Sequence, residues 1–200
     1  MDPHHVSTER ADAARNRSKI LRAAARIAAT EGPSGLALDV VARRAGVGVG
    51  TVYRRFGDRA GLVFAMLEEH AAAFQEQLTS GPPPLGPGAP PAERLRALLH
   101  VLVDVVEEHQ DLLLVAEASS PAARYESLPY AIQRAQLEAL LTELGTPGDP
   151  RYLAEALLAP LTPSLVAYQR RVRGLTVGQI KAGLDDLLER CVRPPQPAAD

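Results

Sequence analysis

The chain has 200 residues, 46% of them hydrophobic, only 4% aromatic and none Trp, a composition that suits packed helices better than a β-sandwich. Its one cysteine, Cys191, excludes an internal disulfide and a cysteine-built zinc cluster, and no apolar run reaches the roughly 18 residues that span a bilayer. The net charge of −2 hides a division: residues 1–60 hold 11 Lys and Arg against 6 Asp and Glu, a net +5, whereas residues 61–200 hold 11 against 18, a net −7.

Ser7 and Thr8 offer N-cap oxygens for a first helix, whose apolar face is Ile20, Leu21, Ala24, Ile27 and Ala28 at helical spacing. Gly32 and Pro33 end it. A short helix is predicted from Asp39 to Ala45, a turn at Gly46, and a second short helix from Gly50 to Phe56. Asp58 caps a longer helix to Thr79, with Leu62, Val63, Met66, Leu67, Phe74 and Leu78 on its buried face. Residues 80–91 (SGPPPLGPGAPP) hold 6 Pro and 3 Gly and must be a loop.

Beyond that loop every segment reads as helix. Ala92–His109 carries Leu95, Leu98, Leu99, Leu102, Val103 and Val106 at the 3.6 period, and Asp111–Ala118 is a short apolar helix. Pro129–Leu144 ends at Gly145, and Asp149-Pro150 opens a helix to about Arg173 that Pro160 and Pro163 should kink. Thr176 and Gln179 form a capping box for a last helix ending near Arg193, followed by a tail, 194–200, expected to be disordered. The expectation is an all-α chain of about nine helices with no strand.

The segment Leu38–Phe56 carries the chemistry. A helix-turn-helix needs a small residue where its two helices cross, supplied by Ala42, and a residue tolerant of positive φ in the turn, supplied by Gly46. Val41, Ala45, Val47, Val52 and Phe56 then face inward, leaving Val49, Gly50, Thr51, Tyr53, Arg54 and Arg55 outside the core of the second helix. Groove-facing side chains with hydroxyls and guanidinium groups beside phosphates are what a recognition helix requires. The basic N-terminal part gathers the positive potential that such docking uses.

The run Ala42, Ala45, Gly46, Val47, Thr51, Val52, Tyr53, Phe56, Asp58, Arg59, Leu62, together with ILRAAARIAATEG before it (Ile20–Gly32), resembles the TetR family of transcriptional regulators over about fifty residues. The resemblance implies a three-helix DNA-binding domain, 1–60, followed by a helical effector-binding and dimerisation domain, 61–193. It implies phosphate contacts from Thr51 and Tyr53, and from Arg59 at the start of the fourth helix, where charge and helix N-terminus would both meet phosphate. Arg54 and Arg55 are phosphate or base candidates. Arg44, with Arg43, closes the first helix of the pair, either contacting DNA or compensating the helix dipole. The sequence departs from the family at Ala37, which removes a cap, and at Gly48-Val49, where the family opens its recognition helix with Ser-Lys. Gly is a weaker cap by a few tenths of a kcal/mol, and Val49 is left able to meet a thymine methyl.

The resemblance also implies a homodimer through the last two helices, about 150–192, and hence an inverted-repeat operator. Between about Ala92 and Leu144 such proteins enclose a small effector. The polar groups among apolar neighbours that could orient it are His100, Glu117, Tyr125, Tyr130, Gln133 and Tyr168. No cofactor and no resident metal are implied, and the expected product of the reading is a repressor released from double-stranded operator DNA by a small, apolar molecule. A ligand-independent DNA-binding regulator is the alternative. A small metal-binding enzyme is a weaker one: His100 and Asp104 stand four apart with His109 beyond, but there is no phosphate loop, nucleophile elbow or paired catalytic motif. Met1–Arg10 lack the apolar core of a secretory signal, and the expected location is the cytoplasm, with no membrane partner.

Overall fold

Helix α1 (Pro3–Glu31) turns Ile20, Leu21, Ala23, Ala24 and Ile27 fully inward. A computed structural model describes residues 3–192, with side chains described over 13–68 and 73–192. Ser7 and Thr8 fall inside α1 instead of starting it, and the tail 194–200 lies outside the described residues. A 3-10 turn, Pro33–Gly35, follows α1 and delivers Leu36 into the same core.

Helices α2 (Leu38–Ala45) and α3 (Val49–Phe56) are the expected pair. Gly46 sits at φ 65°, ψ 38°, the left-handed conformation that costs a side-chain-bearing residue on the order of 1 kcal/mol. Its N–H donates to the Arg43 carbonyl at 3.2 Å while Val47 N–H donates to the Ala42 carbonyl at 3.1 Å. This is the paired closure of a Schellman end, and it reverses the chain in the fewest residues. Leu38, Val41, Ala42, Val52 and Phe56 are buried and Ala45 and Val47 pack against them, so the inward set read from the sequence is the one the fold uses.

Asp58 caps α4 (Arg59–Ser80), its Oδ1 accepting from Gly61 N–H at 2.8 Å. Gly61 is there because a Cβ would lie 2.0 Å from the Phe56 carbonyl oxygen. Helices α3 and α4 therefore touch backbone to backbone. The Pro-rich stretch 81–90 leads to α5 (Pro91–Glu108), which buries all six apolar residues expected of it. Next come α6 (Gln110–Ser119), α7 (Ala123–Glu126), α8 (Leu128–Leu144), α9 (Pro150–Leu158), a 3-10 turn (Ala159–Leu161), α10 (Pro163–Arg171) and α11 (Val177–Val192). Ser127 caps α8, Asp149 caps α9, and the Thr176–Gln179 box closes reciprocally at 2.8 and 3.2 Å.

The second core is leucine on leucine: Leu95, Leu98 and Leu99 of α5, Leu137, Leu140 and Leu141 of α8, and Leu158 and Leu161 of the segment after it are almost entirely covered. Each such side chain contributes roughly 1.5–3 kcal/mol by leaving water. Helix α8 packs on α9 and α5, α11 on α5, and α4 on both α6 and α8. Helix α4 thus belongs to both cores, reaching from α1 and α3 to the C-terminal bundle.

The described residues form eleven α-helices and two 3-10 turns, not about nine. One addition is α7, four residues inside a stretch too short to show a period. The other is a break where a kink was expected. Pro160 lies in the 3-10 turn, and Thr162, at ψ 129°, leaves helical space because Pro163 follows it. Pro163 then serves as the first residue of a new helix, where its missing N–H costs nothing.

Candidate DNA-binding surface and internal cavity

The outer face of α3 presents Val49, Gly50, Tyr53 and Arg54, which lie three and four residues apart and so line one side of the helix. Val49 is 47% exposed and Tyr53 53% exposed, although both are apolar or aromatic. Helix α3 keeps this face open while Val52 and Phe56 anchor the opposite one. Gly48 caps α3 through its backbone alone, Thr51 N–H donating to the Gly48 carbonyl at 2.9 Å.

The arginines assigned to this surface divide by what already holds them. Arg54 is exposed and has no hydrogen bond or ion pair with any described residue. Arg55 donates to the Ala13 carbonyl, tying α3 to α1, and Thr51 lies one turn before it and half-buried. Arg44 pairs with Glu31 of α1 at 2.8 Å, and Arg43 with Asp39 at 3.0 Å, both pairs well exposed. Exposed pairs of this kind are worth about 0–1 kcal/mol, so they restrain these side chains only weakly. Arg59 differs. One of its terminal nitrogens donates to the Pro33 and Ser34 carbonyls at 2.6 and 2.7 Å, and its Nε is buried without an acceptor. The geometry makes Arg59 a clamp between α4 and the turn after α1. A second tie, Arg17 to Glu68 at 2.7 Å, joins α1 to α4 further along.

The C-terminal bundle and α4 line a partly open cavity of about 150 Å³. Four of the six expected effector residues line it: Glu117, Tyr125, Tyr130 and Gln133. His100 does not. Its Nε2 lies 2.9 Å from Asp185 Oδ1, and Arg96 meets the same carboxylate at 3.2 Å, so His100 belongs to the seam between α5 and α11. Asp104 joins that seam through Lys181 at 2.7 Å, and among the described residues no group of three His, Cys, Asp or Glu could hold a metal. Tyr168 also lies away from the cavity, 48% exposed on α10.

The sequence reading missed the walls supplied by α4, namely Phe64, Leu67 and Phe74, and it missed Arg124. Helix α7 places Arg124 beneath Tyr130, its guanidinium carbon 5.4 Å from the ring centroid, and Tyr125 meets the same ring edge-on at 5.2 Å. Arg124 donates to the carbonyls of Leu161 at 3.0 Å and Leu158 at 3.4 Å, both freed by the helix break. Burial pulls the Arg124 guanidinium below its ordinary range, partly opposed by the Tyr130, Tyr125, Glu117 and Glu155 groups around it. Burial and then the hydrogen bond to Glu155 push the Tyr130 phenol well above its ordinary value. Glu117, on α6, is occupied as a cap, accepting from Ser164 N–H at 3.0 Å and Ser164 Oγ at 2.9 Å at the start of α10.

A helix-turn-helix head on a helical body with an internal cavity defines a class of regulatory protein. Residues 20–66 match the family model for bacterial regulatory proteins of the tetR family, a span that runs from α1 through the α2–α3 pair into α4. No curated protein matches the chain by sequence. Among solved structures, a putative TetR-family transcriptional regulator from Rhodococcus sp. is 22% identical with a TM-score of 0.59, the match covering 90% of this chain and 100% of that one. FadR of Thermus thermophilus, a TetR-family repressor solved with lauroyl-CoA, is 17% identical with a TM-score of 0.67, covering 92% and 98%. NalD of Pseudomonas aeruginosa, the secondary repressor of the MexAB-OprM multidrug efflux pump, is 22% identical with a TM-score of 0.51, covering 90% and 96%. At these identities the likeness is one of fold, and it runs through both the head and the cavity-bearing body.

Proposed function

We propose that this protein is a ligand-responsive transcriptional repressor that binds an inverted-repeat operator as a homodimer and leaves it when a small, largely apolar effector enters the body. The observation that carries the reading is the outer face of α3. Val49, Gly50, Tyr53 and Arg54 are exposed together on a helix whose other face is locked into the core. A solvated surface does not need that set, and a major groove does. Thr51 and Arg55 border this face, and Arg44 supplies a backbone contact once its exposed pair with Glu31 is exchanged for phosphate.

Dimerisation draws support from α10 and α11. Leu165, Tyr168 and Val172 form an exposed stripe along α10, Val172 being 69% exposed, and Leu187 stands open beside Gly183 on α11. An apolar strip of this kind is costly in water and suits a two-fold partner, and two heads then read two half-sites. Helix α4 connects effector and operator, since Phe64, Leu67 and Phe74 wall the cavity while its first turn is clamped to the head. An effector that moves α4 changes the spacing of two heads that must match roughly 34–36 Å on DNA. No helix among the described residues is long and apolar enough to cross a membrane, and the reading places the protein in the cytoplasm with its DNA.

A gel-shift titration against the DNA upstream of the protein's own gene tests this. A discrete shifted species, competed by an inverted repeat within that DNA, is expected. Absence of any shift at low salt on any duplex refutes the regulator reading.

A further inference from the structure

The cavity wall is apolar over most of its area, with Phe64, Phe74, Leu102 and Val106 facing Ile132 across it. Two side chains on this wall carry full charge, Glu117 and Arg124, and their situations are unequal. Both carboxylate oxygens of Glu117 are consumed at the N-terminus of α10, where the helix dipole also compensates the charge. Glu155, the other carboxylate near Arg124, accepts from the Tyr130 hydroxyl and lies 3.7 Å from Arg134 Nε. The direct contacts of Arg124 are neutral, two main-chain carbonyls and the face of Tyr130, while Glu117 and Glu155 act on it only through space. Of the five N–H donors on a guanidinium, the carbonyls occupy two.

Arg124 is half-buried on an apolar wall, with no carboxylate in hydrogen-bond contact, and its remaining donors can take an anionic ligand. A ligand that uses both features carries an anionic group and an apolar body. We propose that the cavity takes a compact amphipathic carboxylate, its anionic group on Arg124 and its apolar body among Phe64, Phe74 and Leu102. Size narrows the class. A cavity of about 150 Å³ matches the volume that holds a single benzene ring in an apolar protein interior. One aromatic ring or a short alkyl chain therefore fits within it. The planar guanidinium offers the forked donors that a carboxylate takes two at a time, a preference that an ammonium would not show. This inference deepens the regulator reading by naming the chemistry of its effector, and it rests on that reading for the consequence on DNA.

Calorimetric titration of the full chain with benzoate and hexanoate, beside benzamide and benzylamine, tests it. Benzoate is expected to bind about ten- to a hundredfold more tightly than benzamide, the range a charge-assisted hydrogen bond supplies. Benzylamine is expected not to bind. In R124Q the preference for carboxylate over amide should vanish, while the amide binds as before. Equal binding of benzoate and benzamide, a preference for benzylamine, or no binding of either carboxylate overturns the proposal. Should R124Q fail to fold, the carboxylate–amide comparison on the unaltered protein decides alone. A gel shift run alongside keeps the two readings apart. DNA binding without carboxylate binding sinks only the effector class, and loss of DNA binding in the untreated protein sinks the regulator reading itself.

Discussion

Replacing Arg54 by Ala, and in a separate protein Arg59 by Ala, separates two roles that the same residue type plays a few ångströms of chain apart. Arg54 is exposed on the outer face of α3 and holds no described residue, so its truncation should leave the fold unaffected. Each phosphate neutralised contributes about 0.9 to the slope of log affinity against log salt, so a dimer losing one contact per half-site should lose about 1.8 from that slope. Arg59 donates two short hydrogen bonds to the Pro33 and Ser34 carbonyls. Bonds from a charged donor are worth on the order of 1.5–3 kcal/mol, discounted here by the buried Nε that finds no acceptor. A net loss of about 2 kcal/mol corresponds to a fall of roughly 4–8 °C in Tm for a chain of this size. Arg59→Ala should show that fall with an unchanged salt slope, and Arg54→Ala the reverse. The assay pairs thermal unfolding with binding titrations at four or five salt concentrations. An unchanged slope in Arg54→Ala, or a reduced slope with an unchanged Tm in Arg59→Ala, refutes this division of labour.

Gly46→Ala should cost about 1 kcal/mol, and a few degrees of Tm, because a Cβ at φ 65° is strained although nothing lies within 4 Å of it. Val49→Lys should tighten binding to all duplexes and steepen the salt slope, whereas Val49→Ala should alter preference at one base pair, as a selection over randomised operators would reveal. Val172→Asp, at the C-terminal end of the exposed strip and just past the last residue of α10, should shift the protein towards monomer in light scattering and weaken operator binding with little change in helicity.

Much of the fold was legible where its determinants are local. Gly46, Asp58 and the Thr176–Gln179 pair each act within four residues of themselves, and the structure uses them as the spacing predicts. The buried face of α5 was equally plain, since a 3.6-residue period needs no knowledge of the partner. What stayed hidden depends on who lies opposite. His100 and Tyr130 look alike in sequence, polar groups among leucines. Only the packing of α11 against α5 sends one to Asp185, while α7 and α8 bring the other to the cavity. Arg124 lies in a connection with no periodicity, and its carbonyl partners exist because a helix breaks some thirty-five residues later. The prolines marked that break, but local chemistry alone does not separate a bent helix from two helices. The clamp formed by Arg59 was hidden for the same reason, its acceptors being carbonyls of a 3-10 turn that the composition does not announce.

The backbone contact at Gly61 has a mechanical meaning. With the Phe56 carbonyl pressed where a Cβ would stand, the Asp58 cap closed and Arg59 latched to the turn after α1, there is no hinge between head and α4. The 22 residues of α4 then act as a rigid lever about 33 Å long, at 1.5 Å of rise per residue. A tilt of about 5° about its far end at Ser80 would carry its first turn by roughly 3 Å, close to the ~3.4 Å that separates successive base pairs. By letting the two backbones touch, the glycine makes head and α4 one rigid piece, so that a motion of the body is a motion of the head.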